Sequence, residues 1–296
     1  MQSKVTEPQR KVYTVLREDR KALTILPQDA PLVVLQSGAG RPPFFVVDSF
    51  HRFIDLVELI GTDQPVLCLV PQYEAHIVKP GEYDIHHEAA EHVKTILERQ
   101  PQGPYRVGGF SASGIVAYEI TQQLKALGHQ VALLVMFETP NPHFMREYSP
   151  FLNRLASHRA DWSRMRWGEV PAWAAGKLWR KIWLHHARSE ANQKALAATP
   201  LVFARIGAAQ RYRPALYSGR ILLVKRYRGL EGQYFDPEYG WGEVVQGRIE
   251  ICLTSAAEHL EILESATDRE LVANTLRSCM DAVEASSLHQ QITARQ

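Results

Sequence analysis

The chain has 296 residues, and 45% of them are hydrophobic, which is enough apolar material for the core of one large domain. Its 34 basic and 32 acidic side chains leave a formal net charge of +2, so no overall field favours nucleic acid as a partner. Because the three cysteines have no metal-ligand spacing, no apolar run could span a bilayer and no signal-peptide core is present, we predict a cytoplasmic protein with neither a metal nor a membrane partner.

The first part of the chain is polar and weakly patterned. Residues 1–30 predict an N-terminal tail or linker, followed by one domain over residues 31–288. The run PLVVLQ at residues 31–36 fits either the end of this linker or a short edge strand.

Short apolar runs then alternate with helical patterns such as HEAAEHVKTILERQ and TDRELVANTLRSCMDAVEA. Strands that are apolar on both faces and separated by helices predict an α/β fold with a mainly parallel, doubly wound sheet. Six such runs are present: FFVVD at 44–48, PVLCLV at 65–70, YRVGGF at 105–110, QVALLVMF at 130–137, GRILLVKR at 219–226 and RIEICLT at 248–254.

One long segment interrupts this alternation. Between FETPNP and GRILLV lie about 70 residues without a strand pattern, and a structureless loop of that length is rare in a compact domain. We therefore predict an inserted helical subdomain over about residues 141–210. Lysine and arginine outnumber aspartate and glutamate in it.

The stretch GGFSASG at residues 108–114 places Ser111 where a strand pattern gives way to a helix pattern. This is the context of a nucleophile elbow, in which a serine stands on a sharp strand-to-helix turn. The usual pentapeptide G-x-S-x-G is altered, because Gly109 is in place but the fifth position is Ser113 and the next glycine is Gly114.

A serine nucleophile needs a histidine that accepts its proton and an acid that orients the histidine. In a parallel sheet these groups gather at the carboxyl ends of the strands. His259 follows RIEICLT by a short loop and is the best-placed histidine, whereas His86, His87 and His92 lie on a polar helical pattern that predicts mostly solvated side chains.

Two residues compete as the acid. Glu138 directly follows QVALLVMF, and Asp236 lies after the next strand in GQYFDPEYGW. Asp48 also ends a strand, but it stands in the loop expected to supply an oxyanion-hole amide, so a turn or capping role suits it better. The predicted oxyanion-hole donors are the backbone amides of Ala112, directly after the serine, and of Phe50.

Several motifs together resemble the thioesterase domains of nonribosomal peptide synthetases and polyketide synthases, which have the α/β-hydrolase fold. The resemblance covers roughly residues 31–285, and it implies that the inserted subdomain at about 141–210 is a lid that shapes the substrate chamber. It rests on the run QPQGPYRVGGFSASGIVAYE, on YRPALYSGRILLVKR, on YGWGEVV and on EHLEILES.

The resemblance implies Ser111 as nucleophile, His259 as general base and Glu138 as acid, the last in preference to Asp236. This sequence departs from the family pattern at three points. Glutamate replaces the usual aspartate at 138, Ser113 replaces the second elbow glycine, and the loop VVDSFHRF lacks the common H-P-x-G-G pattern.

The implied reaction takes an acyl, peptidyl or polyketide chain from the phosphopantetheine thioester of a carrier protein onto Ser111 and releases it by hydrolysis or cyclisation. No cofactor of its own is expected, because the partner carrier protein bears the phosphopantetheine. Two other interpretations stay open: a discrete editing thioesterase that clears misacylated carriers, and a non-catalytic binding module with the same fold.

Overall fold

The computed structural model describes residues 31–48, 50–71, 82–143, 200–227, 236–256 and 259–293. The predicted tail at 1–30 and residues 144–199 of the predicted lid lie outside the described residues. Within the described ranges the chain folds as the predicted α/β protein, with one sheet between two layers of helices.

The sheet has seven strands in the described residues, in the order β1-β3-β2-β4-β5-β6-β7. Strand β1 runs antiparallel to β3, and the other neighbouring pairs are parallel. The strands are β1 Leu32–Gln36, β2 Phe44–Val47, β3 Val66–Leu69, β4 Tyr105–Phe110, β5 Val131–Phe137, β6 Ile221–Arg226 and β7 Ile249–Thr254. All six predicted runs are strands, and PLVVLQ forms an edge strand.

Five helices cover the two faces of this sheet in the described residues. They are α1 Phe50–Ile60, α2 Ile85–Arg99, α3 Ala112–Ala126, α4 Pro200–Ala209 and α5 Ala266–Thr293. Successive residues of a strand point to opposite faces, so the side chains of β2 show which helices cover which face of the sheet. Phe44 and Val46 pack in the cluster that includes α1 and α5, whereas Phe45 and Val47 pack in the cluster that includes α2, α3 and α4. The prediction of a doubly wound sheet is therefore confirmed.

A buried arginine of β4 connects helix α5 to the end of the sheet at which the parallel strands begin. Arg106 in β4 is 1% exposed, donates to the Pro42 carbonyl at 3.0 Å and to the Gln64 side-chain oxygen at 3.1 Å, and pairs with Glu284 of α5. Arg41 donates to the same carboxylate at 3.0 Å. These contacts lie at the beginning of β4, whereas the elbow serine follows its end.

Three neighbouring strands end in the same unusual way. Asp48 follows β2, Ser111 follows β4 and Glu138 follows β5, and each has a positive φ, of 49°, 54° and 47°. Their backbone amides still donate to the adjacent strands, at 2.8 to 2.9 Å. A positive φ is uncommon outside glycine, costs about 1–3 kcal/mol and concentrates at functional sites. The chain thus turns sharply out of the sheet at three adjacent strand ends.

Candidate active site

The elbow around Ser111 is tight on both sides. A Cβ at Gly109 would collide with the backbone carbonyl of Ser113, and a Cβ at Gly114 would collide with the side chain of Thr139. Thr139 also donates to the Ser111 carbonyl at 3.1 Å. The helix after Ser111 therefore comes closest to Thr139, just beyond the end of β5, at position 114. This explains why the second glycine comes one residue later than in the usual pentapeptide.

The predicted nucleophile, base and acid lie within hydrogen-bonding distance of one another. His259 Nε2 is 3.0 Å from Ser111 Oγ, and His259 Nδ1 is 3.2 Å from Glu138 Oε2. The three come from the ends of β4 and β5 and from the short 3₁₀ turn His259–Glu261 after β7. A proton on Nδ1 leaves Nε2 free to accept the serine proton, so this arrangement can activate Ser111.

Exposure differs sharply between the base and the acid. The side chain of Glu138 is 2% exposed, whereas that of His259 is 37% exposed and packs beside the ring of Phe110, with centroids 5.0 Å apart. The acid is thus shielded from water, while the histidine can reach a substrate.

Glu138 is held as a carboxylate by several donors. The Arg226 backbone amide donates to Oε1 at 2.6 Å, the Arg226 Nε donates to Oε2 at 2.9 Å, and the Tyr239 hydroxyl lies 3.3 Å from Oε1. Burial by itself would raise the pKa of Glu138, but the hydrogen bonds from His259 and Arg226 and the positive charge of Arg226 outweigh it and hold the pKa below its usual range. A lasting negative charge stabilises the imidazolium that forms when His259 takes a proton.

The sequence did not identify Arg226 and Tyr239 as parts of the site. Arg226 is the last residue of β6, and Tyr239 lies in the turn before the 3₁₀ segment Trp241–Glu243. The nearest signal was the YGWGEVV motif, whose Trp241 is fully buried and donates from its indole nitrogen to the Thr139 carbonyl at 2.7 Å. This contact fixes the chain directly after Glu138.

Asp236, the competing acid, has a different set of partners. Its carboxylate accepts hydrogen bonds from the backbone amides of Glu238 at 2.8 Å and Gly240 at 2.5 Å, and so it stabilises the turn that presents Tyr239. The geometry therefore favours Glu138 as the partner of His259. The choice between the two acids stays a prediction that mutagenesis can test.

Both predicted oxyanion-hole donors begin helices. Ala112 is the first residue of α3, and Phe50 is the first residue of α1. Amides in the first turn of a helix have no acceptor within the helix and lie at the positive end of its dipole, which suits them to bind an oxyanion. The side chain of Phe50 lies outside the described residues, and the oxyanion hole itself stays a prediction.

A second buried cluster, centred on Arg205 of α4, was not predicted. The guanidinium contacts Asp48, Ser113, Glu88 and Tyr83, and it is 1% exposed. The sequence gave no local signal for it, because Arg205 lies 92 to 157 residues away from the partners Ser113 and Asp48.

The same cluster includes one of the three histidines of α2. The polar pattern of α2 predicted mostly solvated histidines. His86 and His87 are exposed, whereas His92 is 2% exposed, with its Nε2 3.3 Å from Glu88 Oε1. Because Glu88 also pairs with Arg205, His92 belongs to the same buried cluster.

The described residues have three further features that concern metals, membranes and thiols. In them, no group of three or more histidine, cysteine, aspartate or glutamate side chains is arranged to hold a metal ion. None of the described helices combines the length and the apolar character required to cross a membrane. Cys68, Cys252 and Cys279 are buried and form no disulfide.

Comparison with known proteins agrees with the resemblance seen in the sequence. Residues 63–181 match the family model of the thioesterase domain. The non-reducing polyketide synthase CTB1 of Cercospora nicotianae is 47% identical over 111 residues, which are 38% of this chain and 5% of the synthase. The non-reducing polyketide synthase PKS12 of Gibberella zeae is 48% identical over 61 residues, or 21% of this chain and 3% of the synthase. The chain thus spans only a small part of the length of these relatives.

Solved structures confirm the fold. A four-domain nonribosomal peptide synthetase bound to AMP and glycine superposes with a TM-score of 0.58 at 22% identity, covering 90% of this chain and 21% of that one. The NocB thioesterase domain in covalent complex with a fluorophosphonate nocardicin G analogue gives 0.56 at 16% identity, covering 84% of this chain and 99% of that one. The type II thioesterase BorB of the borrelidin cluster also gives 0.56, at 15% identity, covering 84% and 96%.

Proposed function

We propose that this chain is a hydrolase of the thioesterase type and that it releases a polyketide chain from a carrier-protein thioester through an acyl-enzyme on Ser111. The match of residues 63–181 to the thioesterase-domain model and the shared fold support this proposal. The observation that carries the proposal is the hydrogen-bonded series Ser111, His259 and Glu138 at the carboxyl ends of the strands. A polyketide is favoured over a peptide because the relatives matched in sequence are non-reducing polyketide synthases.

In the acylation step Ser111 Oγ attacks the carbonyl carbon of the thioester while its proton passes to His259 Nε2. The bond to sulfur then breaks, and the departing phosphopantetheine sulfur takes the proton from the imidazolium. Glu138 keeps its charge throughout and stabilises the imidazolium across the 3.2 Å contact to Nδ1. The amides of Ala112 and Phe50 are the donors proposed for the oxyanion of the tetrahedral intermediate.

Deacylation reverses the roles with a new nucleophile. His259 removes a proton from water or from a hydroxyl of the bound chain, that oxygen attacks the ester carbonyl, and Ser111 leaves with the proton that the imidazolium returns. Water gives the free acid, and an internal hydroxyl gives a cyclic ester.

The proposed partner is an acyl or peptidyl carrier domain, which delivers the chain on its phosphopantetheine arm. This chain needs no cofactor of its own for the reaction. Carrier proteins are usually acidic, so the basic excess of residues 141–210 suits such a partner. We also propose that the reaction takes place in the cytoplasm, where the three buried cysteines stay reduced thiols.

The proposal is tested with a carrier domain loaded with an acyl chain and with chromatographic detection of the released product. Ser111→Ala should abolish release. Ser286→Ala, which changes an exposed serine on α5, should leave it unchanged. Wild-type protein that binds the loaded carrier without any release would favour the binding-module interpretation and contradict the proposal.

The same assay separates chain release from editing. In the editing class the resemblance places the acid after the later strand, whereas here His259 contacts Glu138. We therefore expect full-length chains to be released faster than acetyl groups from the same carrier. The opposite preference would identify an editing enzyme.

A further inference from the structure

Two departures from the family pattern meet at one side chain. The loop after β2 has Asp48 in place of the usual pattern, and the elbow has Ser113 in place of its second glycine. Arg205 Nη1 donates to Asp48 Oδ2 at 2.6 Å and to Ser113 Oγ at 3.0 Å. A single guanidinium nitrogen therefore bridges the two segments in which the sequence is unusual.

The rest of the guanidinium is fixed just as firmly. Its Nε donates to Glu88 Oε2 at 3.0 Å and contacts the Tyr83 hydroxyl at 3.3 Å, and its Nη2 pairs with Glu88 Oε1. Burial alone would lower the pKa of Arg205, but the charges of Glu88 and Asp48 outweigh it and raise the pKa. Arg205 thus stays charged, and its planar fork has one orientation that satisfies all these partners.

The bridged segments are those that carry the proposed oxyanion-hole amides. Asp48 lies two residues before Phe50, whose amide begins α1, and Ser113 directly follows Ala112, whose amide begins α3. An oxyanion hole works only when its donors are held at the right separation before the charge develops. A rigid charged group that binds both segments fixes that separation.

We propose that Arg205 is a positioning residue that sets the distance between the two oxyanion-hole segments through Asp48 and Ser113. This inference rests on the proposed function, because it assumes that Ser111 is the nucleophile. In this view the hydroxyl of Ser113 and the carboxylate of Asp48 take over the positioning that the family pattern achieves with its own loop and glycine.

The test measures the rate at which a fluorophosphonate labels Ser111. In that reaction Ser111 Oγ attacks phosphorus, fluoride leaves, His259 takes the proton, and the phosphonyl oxygen occupies the place of the oxyanion. The readout depends on the nucleophile and the oxyanion hole but not on the identity of the acyl chain or carrier. The rate per labelled site is measured well below every variant's unfolding temperature.

Three variants perturb the bridge to different degrees. Arg205→Lys keeps the charge but loses the fork, Asp48→Asn removes the charge while suiting the positive φ of 49°, and Ser113→Ala removes one acceptor. We expect the lysine and asparagine variants to label at least tenfold more slowly and Ser113→Ala severalfold more slowly. The double variant of Arg205 and Asp48 should be labelled no more slowly than Arg205→Lys alone, because both substitutions break the same contact between the two side chains.

Arg106→Lys is the matched control. Arg106 is also 1% exposed and paired with a glutamate, but it lies at the opposite end of β4 from Ser111. It should lower the unfolding temperature while leaving the labelling rate per site unchanged. If the Arg205 variants lose stability in the same way and label at the wild-type rate, Arg205 is only structural and the inference is wrong.

Failure of the proposed function gives a different result. Folded wild-type protein that is not labelled at Ser111 would remove the nucleophile, and the positioning role of Arg205 with it. Rapid wild-type labelling with unchanged rates in the three variants would overturn the positioning role alone.

Discussion

Replacing Glu138 by glutamine tests how the site orients its base. In the wild-type protein both carboxylate oxygens of Glu138 accept hydrogen bonds. Oε1 faces the Arg226 backbone amide at 2.6 Å and the Tyr239 hydroxyl at 3.3 Å. Oε2 faces the Arg226 Nε at 2.9 Å and His259 Nδ1 at 3.2 Å. A glutamine has only one side-chain oxygen, so its NH2 group must face either the donors around Oε1 or the donors around Oε2.

The shorter contact decides the orientation. An NH2 group 2.6 Å from the Arg226 amide would bring two donors together, so the glutamine oxygen should stay there and the NH2 group should face His259. The imidazole can then accept at Nδ1 only with its proton moved to Nε2. In that tautomer Nε2 has no lone pair for the proton of Ser111, and losses of about 10⁴-fold in kcat are typical of such a tautomer error.

The assay is single-turnover acylation by an acyl thioester of a phosphopantetheine mimic. We expect Glu138→Gln to slow acylation by about 10³- to 10⁴-fold with little change in substrate affinity. Asp236→Asn is the control, because its carboxylate accepts only the turn amides of Glu238 and Gly240 among the contacts described. It should cost about 1 kcal/mol of stability and leave the rate within a few fold. Acylation by Glu138→Gln within tenfold of wild type, together with a loss of more than 100-fold in Asp236→Asn, would refute Glu138 as the acid.

Three further predictions concern the packing behind the site. Gly114→Ala should cost about 1–3 kcal/mol of unfolding free energy in urea, because the new methyl meets Thr139, and unchanged stability would show that the elbow is looser than described. Trp241→Phe should cost about 2–4 kcal/mol, since it leaves a gap and an unpaired carbonyl, and a cost under 0.5 kcal/mol would contradict this. Burial alone would raise the pKa of Glu88, but the positive charge of Arg205 and the hydrogen bonds from His92 and Arg205 outweigh it and hold this pKa at about 2. Because this lies below the unfolded value of about 4.3, Glu88 stabilises the fold above that pH, and the contribution is lost as the pH falls toward 2. Glu88→Gln should therefore flatten the fall in stability below pH 4.3, and an unchanged slope would count against the pairing.

The sequence was sufficient for the sheet and for the residues that end its strands. Runs such as FFVVD and QVALLVMF are apolar on both faces because helices cover both sides of the sheet, and that pattern is visible without a structure. The same logic placed Ser111 and Glu138 at one edge, since parallel strands end at the same side. His259 could be placed at the same end of the sheet because it follows β7 by only a short loop.

The contacts between distant segments could not be predicted in this way. Arg205 lies in a helix whose pattern shows nothing unusual, and its partners Asp48 and Ser113 were visible only as departures from a motif. Periodicity reports which face of an element is buried, but it carries no information on which charged groups meet across the layers. The burial of His92 was missed for the same reason.

Intact-protein mass spectrometry shows directly whether Ser111 forms a covalent acyl-enzyme. Wild-type protein and Ser111→Ala are each exposed to a panel of acyl thioesters of phosphopantetheine mimics and quenched before deacylation. We expect wild-type protein to gain the mass of one acyl group on Ser111 and the alanine variant to gain none. An equal adduct on both proteins, or turnover of the thioester by the alanine variant at the wild-type rate, would contradict it.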